Sequence, residues 1–210
     1  MRALPVSRCP VCSQELSVPR GPCSNAVCRW PRRQFGWNAA IAMRDGPLEH
    51  AINNYKYDGV RIWALIFGRV LAGFLHDERS IFASFDLIIP SPTYVGPDGR
   101  SFDHTAAVLS EAASLDDSGL PFMLDPRVLV KTGPTKQLVG LSWRERRQVC
   151  ENDLPKVLRV PDPTRIRGKA ILVYDDVFTD GLNLNTVAGK LRAAGAAKVC
   201  QVTLARQPWR

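Results

Sequence analysis

Hydrophobic residues follow two different patterns along this chain. Helical spacing of apolar residues predicts helices at residues 47–59, 62–76, 104–114, 142–150 and 184–194. Short apolar runs with the length of buried strands occur at residues 85–89, 128–131, 171–174 and 197–204. Strands that alternate with helices in this way indicate an α/β fold with a mainly parallel sheet flanked by helices.

The segment that follows Ile171 combines a strand pattern with charged residues. The apolar run Ile171-Leu-Val-Tyr is followed by Asp175 and Asp176, then by a Thr-Asp-Gly turn and a helical pattern. Ligands of open parallel sheets bind beyond the carboxyl ends of strands, and the first amides of a helix attract phosphate. The segment therefore predicts a site for a phosphorylated sugar. The alternative is a buried strand that leaves the core through a polar turn.

Four of the six cysteines lie within the first 30 residues. Cys9 and Cys12 form a pair with two residues between them, and Cys23 and Cys28 form a second pair with four between them, which is the ligand spacing of structural zinc modules. Two disulfides are the competing interpretation, but nothing in the sequence indicates an oxidising compartment. Cys150 and Cys200 are expected to be buried small residues.

The net charge of +8 indicates an anionic partner. Much of this charge lies between residues 131 and 169, where ten basic residues face four acidic ones. Nucleic acid or a polyphosphate would use such a field, and a solvated basic surface is the alternative. No secretory signal is visible, and the most hydrophobic stretch is short and contains Arg69, so we expect a cytoplasmic protein without membrane insertion.

Several motifs of the chain together resemble a known family. Residues 173–181, Val-Tyr-Asp-Asp-Val-Phe-Thr-Asp-Gly, resemble the phosphoribosyl-pyrophosphate (PRPP) motif of type I phosphoribosyltransferases. The whole chain resembles the ComF family of competence-associated, phosphoribosyltransferase-like proteins. The motifs that follow the family's order are the four-cysteine terminus, Lys56-Tyr-Asp-Gly59, Ile89-Pro-Ser-Pro92, Arg100-Ser-Phe-Asp-His104 and residues 137–146.

This resemblance implies a division of the chain and a set of site residues. A four-cysteine module with structural zinc would occupy residues 1–36, and a type I phosphoribosyltransferase-like domain residues 37–210. Asp175 and Asp176 would accept hydrogen bonds from the ribose hydroxyls, and Mg²⁺ would accompany PRPP. The loop that would hold the 5-phosphate comprises Thr179, Asp180, Gly181, Leu182 and Asn183.

The resemblance leaves three kinds of function open. The chain would transfer a phosphoribosyl group, or it would sense PRPP without turnover. The alternative is a non-catalytic accessory protein in the uptake or handling of single-stranded DNA, with the DNA or a DNA-uptake helicase as partner. Basic residues and tryptophans such as Trp30, Trp37 and Trp143 are what such binding would use.

The predicted phosphate loop departs from the family's pattern at two positions. Asp180 stands where the family usually has Thr or Ser, and Asn183 stands where a second hydroxyl residue is usual. Two unit charges about 4 Å apart repel by about 4 kcal/mol at an effective dielectric constant near 20, which corresponds to several hundredfold in affinity. We therefore expect Asp180 to point to solvent or the pocket to be altered.

Overall fold

The computed structural model describes residues 1–208, and its centre is a four-stranded parallel sheet. The strands are β1 (Asn38–Met43), β2 (Leu87–Pro90), β5 (Ala170–Phe178) and β6 (Lys198–Arg206), in the order β1-β6-β5-β2. The two longest strands, β5 and β6, pair side by side in the middle, with Val173 opposite Gln201 and Phe178 opposite Arg206. Two short strands, β3 (Val130–Lys131) and β4 (Leu158–Arg159), form a separate antiparallel ribbon.

Helices cover both faces of the sheet. They are α1 (Gly46–Tyr57), α2 (Trp63–Asp77), α3 (Arg79–Phe82), α4 (His104–Ser114), α5 (Trp143–Gln148), α6 (Leu154–Val157) and α7 (Leu182–Ala193), with a π-helical segment, Val149–Asp153, between α5 and α6. Successive side chains of a strand point to opposite faces. Along β5, Leu172 and Tyr174 accordingly join the core formed with α1, α2 and α4, whereas Ile171 and Val173 join the core formed with α7.

The amino-terminal cysteine segment packs on the α7 side of the sheet. Cys9, Cys12 and Cys23 are buried in the same hydrophobic core as Phe35 and the α7 residue Leu184. A backbone hydrogen bond of 2.8 Å from the Asn38 amide to the Val11 carbonyl joins this segment to β1. The division of the chain at residue 36 remains a prediction, and the predicted second domain includes Trp209 and Arg210, which lie outside the described residues.

The predicted α/β fold, with a parallel sheet flanked by helices and a four-cysteine cluster near the amino terminus, is confirmed. Helix α4 coincides with its prediction, and the capping box predicted for Ser142 and Glu145 is present at the start of α5. Cys150 and Cys200 are buried, as expected. Within residues 1–208, no helix combines the length and the hydrophobicity that crossing a bilayer requires.

Two features of the sheet differ from the sequence-based expectation. Strand β1 has no predicted counterpart, because its alanines give it little of the β-branched and aromatic character that marks strands. Strand β5 does not end before the aspartates but continues through Asp175 and Asp176 to Phe178. The neighbouring strand makes this possible, since Asp175 pairs in register with Thr203 and Val177 with Ala205.

Candidate functional site

A cavity of about 580 Å³ opens at the carboxyl ends of β2 and β5. The walls come from segments that are far apart in the sequence but contain the motifs singled out above. The lining residues from these motifs include Lys56, Tyr57, Asp58, Ser91, Pro92, Arg100, His104, Gln137, Arg146, Asp175, Asp176, Thr179 and Asn183. The fold therefore brings five separate motifs to one cavity, at the edge of the sheet where ligands of open α/β proteins bind.

Asp176 is the buried member of the aspartate pair and is bound by a lysine. The Nζ atom of Lys56, at the end of α1, lies 2.7 Å from Asp176 Oδ2, and His104 Nε2 lies 3.5 Å from the same oxygen. Burial alone would raise the pKa of Asp176, but Lys56 and then His104 hold it well below its usual range. Burial lowers the pKa of His104 to about 4, so this imidazole is neutral at physiological pH.

Asp175 lies beside this ion pair and has the opposite perturbation. Its Oδ1 accepts a hydrogen bond of 2.9 Å from the Asp176 amide. Burial and the nearby Asp176 carboxylate raise the pKa of Asp175 to about 7, against the lowering effect of Lys56. Two carboxylates side by side thus differ in protonation because, within residues 1–208, only Asp176 has a cation in contact.

The loop after β5 turns sharply into α7. Gly181 has a φ of 88°, and a Cβ atom at this position would lie 2.7 Å from Phe178 Cζ, so both the conformation and the space require glycine. The Leu182 amide donates to Asp180 Oδ1 at 3.0 Å. Asn183 and Leu184 lie in the first turn, where a helix leaves amides without partners in the helix, and the Asn183 side chain lines the cavity.

Asp180 neither points to solvent nor lines the cavity. The residue is buried, and Arg146 Nε on α5 lies 3.0 Å from its Oδ2. The same guanidinium donates through Nη2 to Thr179 Oγ1 at 2.7 Å, so Arg146 holds two consecutive residues of the loop. Of the two expected alternatives, a solvent-exposed Asp180 is therefore wrong, because a half-buried arginine from a distant helix neutralises the carboxylate.

Basic side chains outnumber acidic ones around the cavity. Among the described residues, six lysines and arginines line it, against four aspartates: Arg44, Lys56, Arg100, Lys131, Lys136 and Arg146 against Asp58, Asp98, Asp175 and Asp176. Burial lowers the pKa of Lys131, and Arg100 lowers it further. A cavity with this lining is suited to an anionic ligand that also offers hydroxyl groups to the carboxylates.

The four amino-terminal cysteines form a second cluster, separate from the cavity. Their sulfur atoms all lie within 4.8 Å of one another, and Cys12 Sγ and Cys23 Sγ are 3.7 Å apart. In a tetrahedral site with metal–sulfur bonds of about 2.3 Å, sulfur atoms are separated by about 3.8 Å. None of the six cysteines forms a disulfide. These four residues fit a metal ion such as zinc.

Sequence comparisons give this chain no close relative. No protein-family model matches it, and no curated protein does. Among solved structures it is similar to the allosteric regulatory enzyme of purine biosynthesis, with 21% identity and a TM-score of 0.33, over 57% of this chain and 22% of that one. The site is therefore interpreted from its own geometry.

The structure places the two predicted aspartates and the predicted loop residues in different environments. Asp175, Asp176, Thr179 and Asn183 line the cavity. Asp180 does not line it, and its side chain is paired with Arg146. The side chain of Leu182 is buried in the core, and Gly181 provides the turn.

Sequence reasoning missed the roles of two cations. Lys56 and Arg146 belong to motifs that the sequence shows, but the motifs do not reveal which carboxylate each cation would meet. Their partners are remote in the chain, so no local spacing signals either pair.

Proposed function

We propose that this chain binds PRPP in the cavity at the carboxyl ends of β2 and β5, as a ComF-like protein that transfers or senses a phosphoribosyl group. The convergence of five separate motifs on one cation-rich cavity carries this proposal. A ligand with a phosphate, two ribose hydroxyls and a pyrophosphate matches a lining that combines helix amides, two aspartates and six cations.

Each part of the ligand has a counterpart in the proposed site. The 5-phosphate would meet the first-turn amides of α7 and the hydroxyl and amide side chains of Thr179 and Asn183. The lysine beside the aspartate pair, Lys56, contacts Asp176. Asp175 is therefore the aspartate proposed to accept a hydrogen bond from a ribose hydroxyl. Lys131 and Lys136 are available for the pyrophosphate.

Magnesium is proposed only as a companion of the pyrophosphate. Mg²⁺ prefers carboxylate oxygens and water and commonly binds through one or two carboxylates together with substrate phosphates. His104, Asp175 and Asp176 lie within 4.8 Å of one another, but Asp176 is bound to Lys56, so Asp175 is the carboxylate that fits the cation. Bound Mg²⁺ would neutralise charge on the pyrophosphate. The cysteine cluster is proposed to hold structural zinc.

Calorimetric titration of PRPP with Mg²⁺ into the full chain tests the proposal. We expect saturable binding to the parent protein and at least tenfold weaker binding to Asp175→Asn. Asp77→Asn serves as the matched control, because Asp77 is exposed at the end of α2 and should leave the affinity unchanged. Absence of heat with millimolar PRPP, or equal loss in both variants, would contradict the proposal.

Detection of pyrophosphate release separates transfer from sensing. A phosphoribosyl group can leave PRPP only with displacement of pyrophosphate, so an enzyme releases it when an acceptor nucleophile is present. A sensor binds PRPP with the same dependence on Asp175 but releases no pyrophosphate with any purine, pyrimidine or amine acceptor tested.

A second candidate function is supported by an aromatic and basic surface cluster. The guanidinium of Arg147 lies 5.5 Å from the ring centre of Trp30 and 5.6 Å from that of Trp143, which is exposed. Aromatic and arginine side chains of this kind stack on the bases of single-stranded DNA. Trp37 does not belong to the cluster, since it packs edge-on against Phe85.

Salt-dependent binding of an oligonucleotide tests this second candidate. Charge reversal of Arg144 and Arg147 should lower the slope of affinity against salt concentration by about one for each lost phosphate contact. An unchanged slope would identify the cluster as an ordinary solvated surface and leave PRPP binding as the remaining proposal.

A further inference from the structure

Arg206, at the end of β6, is an arginine with no exposure to solvent. Its Nη1 donates to the carbonyl oxygens of Phe178 and Thr179, at 3.1 and 2.6 Å. Phe178 is the last residue of β5, and Thr179 is the first residue of the predicted phosphate loop 179–183, called the ligand loop below. Its Nε and Nη2 atoms are buried and have no hydrogen-bond partner among the described residues. A guanidinium is always charged, so buried N–H groups without partners are costly unless an anion lies beside them.

The four-cysteine cluster is the group that fits this requirement. Burial lowers the pKa of Arg206, whereas the neighbouring thiols of Cys12, Cys28 and Cys23 act to raise it. A divalent metal with four thiolates has a net charge of −2, from four negative charges and two positive ones. Sulfur atoms of metal thiolates accept N–H hydrogen bonds, as Cys9 Sγ does here from the Val11 amide at 3.4 Å.

Other contacts join the cysteine segment to the same loop. The Asn25 side chain, between Cys23 and Cys28, donates through Nδ2 to the Asp180 carbonyl oxygen at 2.9 Å. Phe35 packs edge-on against Phe178, with the ring centres 6.2 Å apart. The Gln34 amide donates to Asn185 Oδ1 on α7 at 2.9 Å. The loop and the start of α7 therefore pack against the amino-terminal segment that contains the cysteines.

We propose that Arg206 is a positioning residue that couples metal occupancy of the four-cysteine cluster to the conformation of the ligand loop. One edge of its guanidinium balances the charge of the metal thiolates, and the other edge fixes the carbonyls of Phe178 and Thr179. When the metal is lost, the four thiolates take up protons from solvent and become neutral thiols, so the charge that compensates Arg206 disappears and residues 178–183 loosen. This inference rests on the proposed metal and on the proposed role of the loop, but its test needs no PRPP.

Hydrogen exchange of the full chain, with zinc bound and after removal of zinc by EDTA, tests the coupling directly. We expect amides of residues 178–185 to exchange at least tenfold faster without metal, while those of α2 stay unchanged. Faster exchange confined to residues 9–28 would overturn the proposal. Equal acceleration in α2 would also overturn it, because the metal would then support the whole fold and not this loop.

Substitution of Arg206 tests the same link from the other side. We expect Arg206→Gln to weaken zinc binding at least tenfold in chelator competition and to shift the thiolate-to-metal absorption band of the Co²⁺-substituted protein. Arg206→Lys keeps the charge and should recover part of the affinity. Arg69→Gln, on the exposed face of α2, is the matched control. Zinc affinity and Co²⁺ spectra identical to the parent's in Arg206→Gln would refute the proposal.

If Arg206→Gln does not fold, the exchange experiment on the parent protein decides the question alone. A negative result there and a positive PRPP titration would remove the metal coupling and leave the proposed function intact. A positive exchange result without PRPP binding would do the reverse, so the two proposals fail independently.

Discussion

Replacement of Asp180 by asparagine should change PRPP affinity by less than tenfold. Asparagine keeps the acceptor oxygen for the Leu182 amide, which Asp180 Oδ1 binds at 3.0 Å, and removes only the charge. An uncompensated carboxylate about 4 Å from a bound phosphate would cost about 4 kcal/mol, or several hundredfold in affinity. Arg146 Nε, however, lies 3.0 Å from Asp180 Oδ2, closer than that phosphate distance, so the carboxylate's field is already cancelled.

Arg146→Gln should lower both stability and PRPP affinity more than Asp180→Asn does. It leaves a buried carboxylate without its cation, which in buried ion pairs costs about 3–5 kcal/mol of unfolding free energy. It should also weaken PRPP binding at least tenfold, since the uncompensated charge then acts on the phosphate. The double variant Asp180→Asn with Arg146→Gln removes both charges and should recover affinity to within tenfold of the parent.

Calorimetry with PRPP and Mg²⁺ measures the affinities, and urea unfolding at the same pH measures the stabilities. Arg144→Gln, an exposed neighbour on α5, controls for the loss of one positive charge. A several-hundredfold gain in affinity for Asp180→Asn would refute the reasoning, because the carboxylate would then act on the ligand unscreened. A double variant as weak as Arg146→Gln would show instead that Arg146 contacts the ligand directly.

Three further predictions follow from the site and the metal cluster. Asp175 has its pKa raised to about 7, so its contribution to stability should fall as pH rises from about 4 to 7, whereas the contribution of His104, whose pKa is lowered to about 4, should rise over the lower part of this range. Asp175→Asn should leave only the opposing contribution, so that stability in urea unfolding rises with pH, and should stabilise the protein at pH 8 by about 1 kcal/mol or more; a pH dependence identical to the parent's would contradict the assignment. Gly181→Ala should cost about 1–3 kcal/mol because of the positive φ and the contact with Phe178, whereas Gly73→Ala, with open space in α2, should stabilise by about 0.5–1 kcal/mol. Removal of zinc with EDTA should lower the melting temperature, and readdition of Zn²⁺ should restore it; a melting temperature insensitive to EDTA would argue against a metal in the cysteine cluster.

The parts of this structure that sequence reasoning predicted are those encoded locally. Hydrophobic periodicity predicted β5 and α7 to within a few residues, and cysteine spacing predicted the four-sulfur cluster. Local chemistry also predicted Gly181 as the turn between them. In each case the residues that determine the feature are close in the sequence, so a window of about 20 residues contains the physical cause.

The parts that sequence reasoning missed depend on contacts between remote segments. Asp176 is 120 residues from Lys56, and Asp180 is 34 residues from Arg146, yet these pairs determine the charge state of the site. Strand β1 was missed because its alanines gain strand character only from the ladder with β6. Burial and pairing across the fold decide such features, and single-sequence patterns contain neither.

The two adjacent aspartates show why a motif must be interpreted through its partners. Asp176 is held ionised by Lys56, so a ligand that approaches the paired oxygen meets a half-buried lysine already in contact with it. Asp175 has no such cation in contact and a pKa of about 7, so a ligand hydroxyl, an accompanying cation or a proton can each satisfy it. Residues that are alike in sequence are therefore divided into a structural anchor and a group free to respond to ligand, and their environments make the division. The same reasoning applies to Asp180, whose charge conflicts with phosphate binding in the sequence pattern but is neutralised by Arg146 in the fold.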